Sequence, residues 1–149
     1  MICLRPATSA DQKIIERLVH QVGINPMSLH WQNFLIAEDN DQIVGIGQIK
    51  PHGDGSRELA SIAVIPERRQ QGIASAIIRT LLAKANGTLY LTCRAQLETF
   101  YNRFGFRVVG RDEMTPYFRW LSRIGNLFAR LAGTRMLVMK LDRPRTEDR

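Results

Sequence analysis

The sequence is poor in the residues that staple or metallate small proteins. Only Cys3 and Cys93 occur among 149 residues, too few for a disulfide framework, and this points to a reducing cytoplasm. Both cysteines lie in apolar, strand-like sequence, where a small core residue is the expected role. A catalytic thiol at Cys93 is conceivable, but no histidine accompanies it locally. His20, His30 and His52 are scattered without metal-ligand spacing, so no metal is indicated. No apolar run approaches the roughly 20 residues needed to span a bilayer. The start, Met1-Ile2-Cys3-Leu4-Arg5-Pro6, has no charged flank followed by an apolar stretch, so no secretory signal is expected there. Internal repeats, low-complexity tracts and interdomain linkers are also missing.

What is present is positive charge. The formal charge is +7 and the isoelectric point is near 10.1. Such a surface favours anionic partners: nucleic acid, membrane phosphate, an acidic protein or a polyphosphate cofactor. The 44% hydrophobic and 23% charged fractions are those of an ordinary globular chain. The length suits one domain, expected over residues 1–142, with a charged, frayed tail over 143–149.

The pattern of elements is mixed. A short strand over Ile2–Arg5 precedes a helix that runs to about Val22, its start marked by Ser9 and Gln12 in capping-box spacing. Ile14, Ile15, Leu18, Val19 and Val22 recur there at helical spacing. Strands are expected over Phe34–Ala37, Ile43–Gly47, Glu58–Ile65, Leu89–Cys93, Phe106–Val109 and Met136–Leu141. Helices are expected from Gly72 to about Ala85, over Leu97–Phe104, and from Pro116 to Ala132. The fold class is therefore α+β, a mixed sheet with helices on its faces.

The most informative segment joins the strand ending at Ile65 to the helix beginning at Gly72-Ile73-Ala74, through Pro66-Glu67-Arg68-Arg69-Gln70-Gln71. A helix N-terminus offers unsatisfied amides and a partial positive charge, and small residues there let a phosphate reach the backbone. Gly72 and Ala74 supply clearance; Arg68 and Arg69 add charge. Gly-x-Gly-x-x-Gly is absent from this turn and Gly-Lys-Ser/Thr from the chain, which disfavours dinucleotide-binding and P-loop readings. On this turn alone, an ordinary strand–loop–helix with a space-relieving glycine remains open.

Arg69-Gln70-Gln71-Gly72-Ile73-Ala74 resembles the Arg/Gln-x-x-Gly-x-Gly/Ala pyrophosphate motif of the GCN5-related N-acetyltransferases (GNAT). Phe100-Tyr101-Asn102-Arg103-Phe104-Gly105-Phe106 resembles that family's Phe-Tyr-x-x-x-Gly-Phe signature. The element order from Ile2 to Leu141 is similar as well. The resemblance implies a twisted sheet of about seven strands and a splay between the fourth and fifth, where acetyl-CoA lies. It implies that Ile62, Ala63 and Val64 hold pantetheine and the acetyl group, and that Arg69, Gln70, Gln71, Gly72, Ile73 and Ala74 wrap the pyrophosphate. The family often has an asparagine seven positions before the signature tyrosine; here that position is Arg94, able to reach CoA or the acceptor.

The chemistry so implied is acetyl transfer to a primary amine by direct attack in a ternary complex. An alkyl amine with a pKa near roughly 10.4 must first lose a proton. Glu58 matches the position of the family's general base, and a strand-edge carboxylate paired with Arg57 or another base is the alternative. The Ile62 amide is the candidate donor to the developing oxyanion. Tyr101 matches the general acid that protonates the leaving thiolate; a packed aromatic beside Phe100, Phe104 and Phe106 is its alternative. Dimers are common in the family.

Between the last two strands lies a basic helical segment longer than a hairpin needs. Phe118, Leu121, Ile124, Phe128 and Leu131 align along it, with Arg119, Arg123 and Arg130 elsewhere and no acidic residue from Thr115 to Leu141. It is read as a helix packed on the domain, as a lid selecting an acidic acceptor, or as a basic amphipathic surface helix touching an anionic membrane or another protein. From outside the enzyme class, the alternative is a non-catalytic basic binding module recognising nucleic acid or an acidic partner.

Overall fold

The computed structural model describes residues 1–145; the last residues of the charged tail lie outside them. The strands are β1 (Cys3–Pro6), β2 (Phe34–Asp39), β3 (Gln42–Pro51), β4 (Arg57–Val64), β5 (Leu89–Arg94), β6 (Arg107–Val108) and β7 (Met136–Leu141). The helices are α1 (Gln12–Val22), α2 (Ile73–Lys84), α3 (Glu98–Asn102) and α4 (Pro116–Leu131). The strands hydrogen-bond in the order β1-β2-β3-β4-β5-β7-β6. The β4–β5 pair is parallel, registered at Glu58 opposite Tyr90, whereas β1–β2, β2–β3, β5–β7 and β6–β7 are antiparallel. This is a mixed seven-stranded sheet flanked by helices, as the sequence pattern implies.

The chain forms two compact units. One comprises residues 1–50 and 59–85. Within it, α1 turns Ile15, Leu18 and Val19 onto Phe34, Ile36, Ile46 and Ala63. The other side of β3 carries Gly45 and Gly47. A Cβ on Gly47 would meet Ile77 at 2.6 Å and Ile62 at 2.7 Å, so α2 packs on bare backbone there. Asn40 and Asp41, both with positive φ, close the β2–β3 hairpin as a primed turn. The α1 entry is capped by Thr8 and Asp11 rather than Ser9 and Gln12. The Thr8 N–H donates to Asp11 Oδ2 at 2.7 Å, and Arg5 grips the same carboxylate at 2.8 Å. That guanidinium, together with the Thr8 amide, holds Asp11 down to about 2 against the opposing pull of burial.

The second unit comprises residues 51–58 and those from Asn86 onward. Its core sets Phe118 of α4 against Tyr90, Val109, Met114 and Val138. Asn126 ties α4 to β7 by accepting the Met136 N–H. Here the expected apolar stripe of α4 divides. Phe118 is fully buried, while Phe128 and Leu131 are exposed, because the helix turns a different side to the core beyond its first turns. Cys3 also departs from expectation, since it is exposed near the chain start; Cys93 is buried.

Candidate active site

The candidate phosphate turn belongs to the first unit. β4 ends at Val64, the Ile65 N–H donates to Val44 O at 2.9 Å, and Pro66–Arg68 make one 3-10 turn. The backbone then alternates in hand: Arg69 is extended at φ −68°, Gln70 sits at φ 62°, and Gly72 at φ 78° caps α2. Two left-handed residues in so short a turn fold the backbone tightly at the start of α2, where free N–H groups can bind an anion. No side chain caps α2, and its first turn carries no acid, so those donors are not claimed by a side-chain cap. Gly72 is required by its φ, since no atom lies within 4 Å of where a Cβ would stand.

The two arginines of the turn serve differently. Arg68 donates Nη1 to Asp39 at 2.8 Å and Nε to Gln71 at 3.0 Å, so its charge is spent within the unit. Arg69 donates Nε to Val64 O at 3.3 Å. Just upstream, Ser61 takes φ 57° inside β4, a left-handed residue that breaks the alternation of the strand before Ile62. Its hydroxyl accepts from Gln48 Nε2 at 2.8 Å. Ile62 is half-buried, and Ala63 and Val64 are buried. The structure thus brings Ile62, Ala63, Val64, Arg69, Gln70, Gln71, Gly72, Ile73 and Ala74 onto two successive elements and the turn between them.

Glu58, Arg94 and Tyr101 belong to the second unit. Tyr101 is buried on α3, edge-on to Phe100 at 5.0 Å and to Phe106 at 6.4 Å between ring centroids. Burial, with a smaller contribution from Cys93, pushes its phenol up to about 12. It is fully protonated at neutral pH, the state a proton donor requires. Burial, aided by Glu98, pushes the Cys93 thiol up to about 11. A neutral thiol that packs against Met139 at 3.7 Å is no nucleophile. Arg94 is exposed at the end of β5.

Around Glu58 the structure assembles more than the sequence suggested. Its Oε1 lies 2.8 Å from His52 Nε2, with both side chains nearly withdrawn from water. The basic partner of this carboxylate is thus His52 rather than Arg57. The His52 ring stacks on Tyr117 at 3.6 Å and meets Phe118 edge-on at 5.6 Å. Burial, then Glu58 and Asp54, push the Tyr117 phenol up to about 12. Burial would raise Asp54, but donors from Ser56 and the Tyr117 N–H at 3.0 Å outweigh it and hold this carboxylate well below its usual range. His52, Asp54 and Tyr117 were missed because their meeting depends on the turn after β3 and on α4. In the first unit, buried Gln48 and Lys50 were also missed. Lys50 Nζ donates to Met27 O at 3.2 Å. Two polar residues at alternate positions of an apolar strand were the available signal.

Residues 30–108 match the family model for the acetyltransferase (GNAT) domain, more than half of the chain. The chain belongs to the GNAT acetyltransferase family. It is 30% identical over 99 residues to N-acetyltransferase 8F1 of Rattus norvegicus, a match covering 58% of this chain and 45% of that protein. It therefore spans less than half the length of this curated relative. In structure it resembles N-acetylglutamate synthase from Neisseria gonorrhoeae complexed with coenzyme A and N-acetyl-glutamate. That likeness has a TM-score of 0.73 at 22% identity and covers 96% of this chain and 36% of the other. It also resembles Rv2747 from Mycobacterium tuberculosis in complex with CoA, with a TM-score of 0.72 at 23% identity over 95% and 99% of the two chains. At those identities the structures establish the GNAT fold.

Proposed function

We propose that this chain is an N-acetyltransferase, built as one domain over residues 1–142, that moves an acetyl group from acetyl-CoA to a primary amine in a ternary complex. The observation that carries the reading is the turn from β4 into α2, where left-handed Gln70 and Gly72 precede a helix without a side-chain cap. A pyrophosphate suits those donors, because it supplies acceptors and negative charge to amides that lack a side-chain partner. Arg69, Gln70, Gln71, Gly72, Ile73 and Ala74 would hold it, and the backbone of Ile62, Ala63 and Val64 would hold the pantetheine arm. Exposed Arg94 is left as a contact to the cofactor or acceptor.

When bound, acetyl-CoA supplies the activated acyl carbon. Glu58, oriented by His52, takes a proton from the acceptor ammonium. An ionised carboxylate only accepts, so Nε2 carries the proton of the His52–Glu58 bond. The Ile62 N–H, turned by the left-handed Ser61, donates to the acyl oxygen as negative charge builds there. Tyr101 gives its proton to sulfur as the carbon–sulfur bond breaks. The unpaired cysteines Cys3 and Cys93 support a reducing, cytoplasmic setting. No helix among the described residues is long and apolar enough to cross a membrane.

The test is thiol release from acetyl-CoA across a panel of small amines and peptides, paired with calorimetric binding of acetyl-CoA. Acceptor-dependent release establishes the reading. Absence of both release and binding overturns it and leaves the basic binding module.

A further inference from the structure

α4 presents to solvent two adjacent stripes that the acetyl-transfer chemistry does not use. At 100° per residue, Trp120, Leu127 and Leu131 fall within one narrow sector, and Phe128 widens it by about 60° on one side. Their exposures are 50%, 63%, 83% and 65%, a large solvent-facing apolar face, with the Tyr117 ring tilted against Trp120 at 6.1 Å between centroids. Arg119, Arg123 and Arg130 form the neighbouring sector, and all three are exposed. Beside them opens a cavity of about 530 Å³ lined by Arg123, Asn126, Leu127, Arg130, Thr134 and Arg135. Three guanidiniums and no carboxylate line it. Among the described residues, the buried Thr134 hydroxyl has no hydrogen-bond partner. From Thr115 to Leu141 the chain carries no acidic residue.

We propose that this side of α4 docks on an anionic phospholipid surface, with lipid phosphates in the arginine-lined cavity and the Trp120, Leu127, Phe128 and Leu131 stripe among the acyl chains. The arrangement is that of an interfacial helix, an exposed apolar stripe flanked by cations. With 16 residues, α4 is roughly 24 Å long, shorter than a bilayer core, so it lies along the surface. A second copy of the chain is a poor occupant. An antiparallel two-fold contact through this face would set the arginine stripe against its own like. A nucleic acid would satisfy the arginines and leave four large apolar side chains wet.

The experiment is co-sedimentation with vesicles, performed on the whole chain carrying Trp31→Phe so that Trp120 alone reports. Vesicles of phosphatidylcholine are compared with vesicles of equal parts phosphatidylcholine and phosphatidylserine. The protein should pellet with the mixed vesicles only, with a blue shift of Trp120 emission and a loss of binding at high salt. Replacing Arg119, Arg123 and Arg130 together with glutamine should weaken binding about 100-fold. Leu127→Ser with Leu131→Ser should abolish the blue shift. The α4 side chains replaced are exposed and Trp31 is half-buried, and circular dichroism checks that the variants stay folded. Equal pelleting by the wild type and the glutamine variant overturns the proposal. So does binding of free inorganic phosphate without vesicle binding, or a concentration-dependent dimer in place of vesicle binding.

Discussion

His52 and Glu58 hydrogen-bond at 2.8 Å in a setting almost closed to water, with Tyr117 stacked on the imidazole. The hydrogen bond sets which way the buried Glu58 carboxylate points. If Glu58 is the base, Glu58→Gln should lower kcat about 100-fold while leaving acetyl-CoA affinity unchanged. His52→Ala should lower kcat about 10-fold. His52→Gln retains a donor amide and should recover most of that loss. Steady-state kinetics with calorimetry on the three variants checks this, and a wild-type kcat in His52→Ala removes the positioning role.

Tyr101 makes a different demand. With its phenol near 12 against an ordinary 10, it stays protonated throughout the neutral range. Tyr101→Phe should lower kcat at least about 100-fold, with acetyl-CoA binding intact. The wild-type rate should show no alkaline fall attributable to this phenol below about pH 10. The raised value also gives a sign for stability: the contribution is complete below 10 and is lost as pH climbs through 12. In thermal melts between pH 9 and pH 12, wild type should lose stability relative to Tyr101→Phe once the pH passes about 10.

Gly72 tests the turn itself. At φ 78° a valine is strained by its own backbone, with no neighbouring atom to blame. Gly72→Val should cost about 1–2 kcal/mol of stability and raise KM for acetyl-CoA at least about tenfold. The KM for acetyl-pantetheine, which lacks the pyrophosphate, should hardly change. Equal losses on both substrates would contradict a phosphate role.

Gly47 reports on packing. Gly47→Ala places a Cβ at 2.6 Å from Ile77 and 2.7 Å from Ile62, both buried or half-buried branched side chains with little room to give. The expected destabilisation is about 1–3 kcal/mol, read as a fall in Tm. Gly53→Ala, whose Cβ meets nothing within 4 Å, is the control and should leave Tm within a degree or two.

Much of this was written in consecutive residues. Strand–turn–helix around Gly72 and the aromatic run around Tyr101 are local patterns, set by backbone angles and nearest neighbours, so they could be read directly. The His52–Glu58–Tyr117 group could not. His52 reaches Glu58 only because the Gly53-Asp54-Gly55 turn folds back, and the Tyr117 ring arrives from a distant helix. The exposed stripe of α4 was hidden for another reason. Helical spacing announces that Phe118 and Phe128 are periodic, but only the packed structure says which of them is covered. Thr8 displaced Ser9 as the cap because Arg5 holds Asp11 in place, an interaction between side chains rather than a pattern of types.

The glycines under the helices also set what natural variation can do. α2 rests on Gly45 and Gly47 of β3, where a Cβ would meet Ile77 at 3.0 Å and 2.6 Å respectively. A lineage that adopts a new acceptor has little freedom at these floor positions. Its freedom lies elsewhere, so a saturation library aimed at altered selectivity should leave residues 45 and 47 untouched and spend its diversity in the loops.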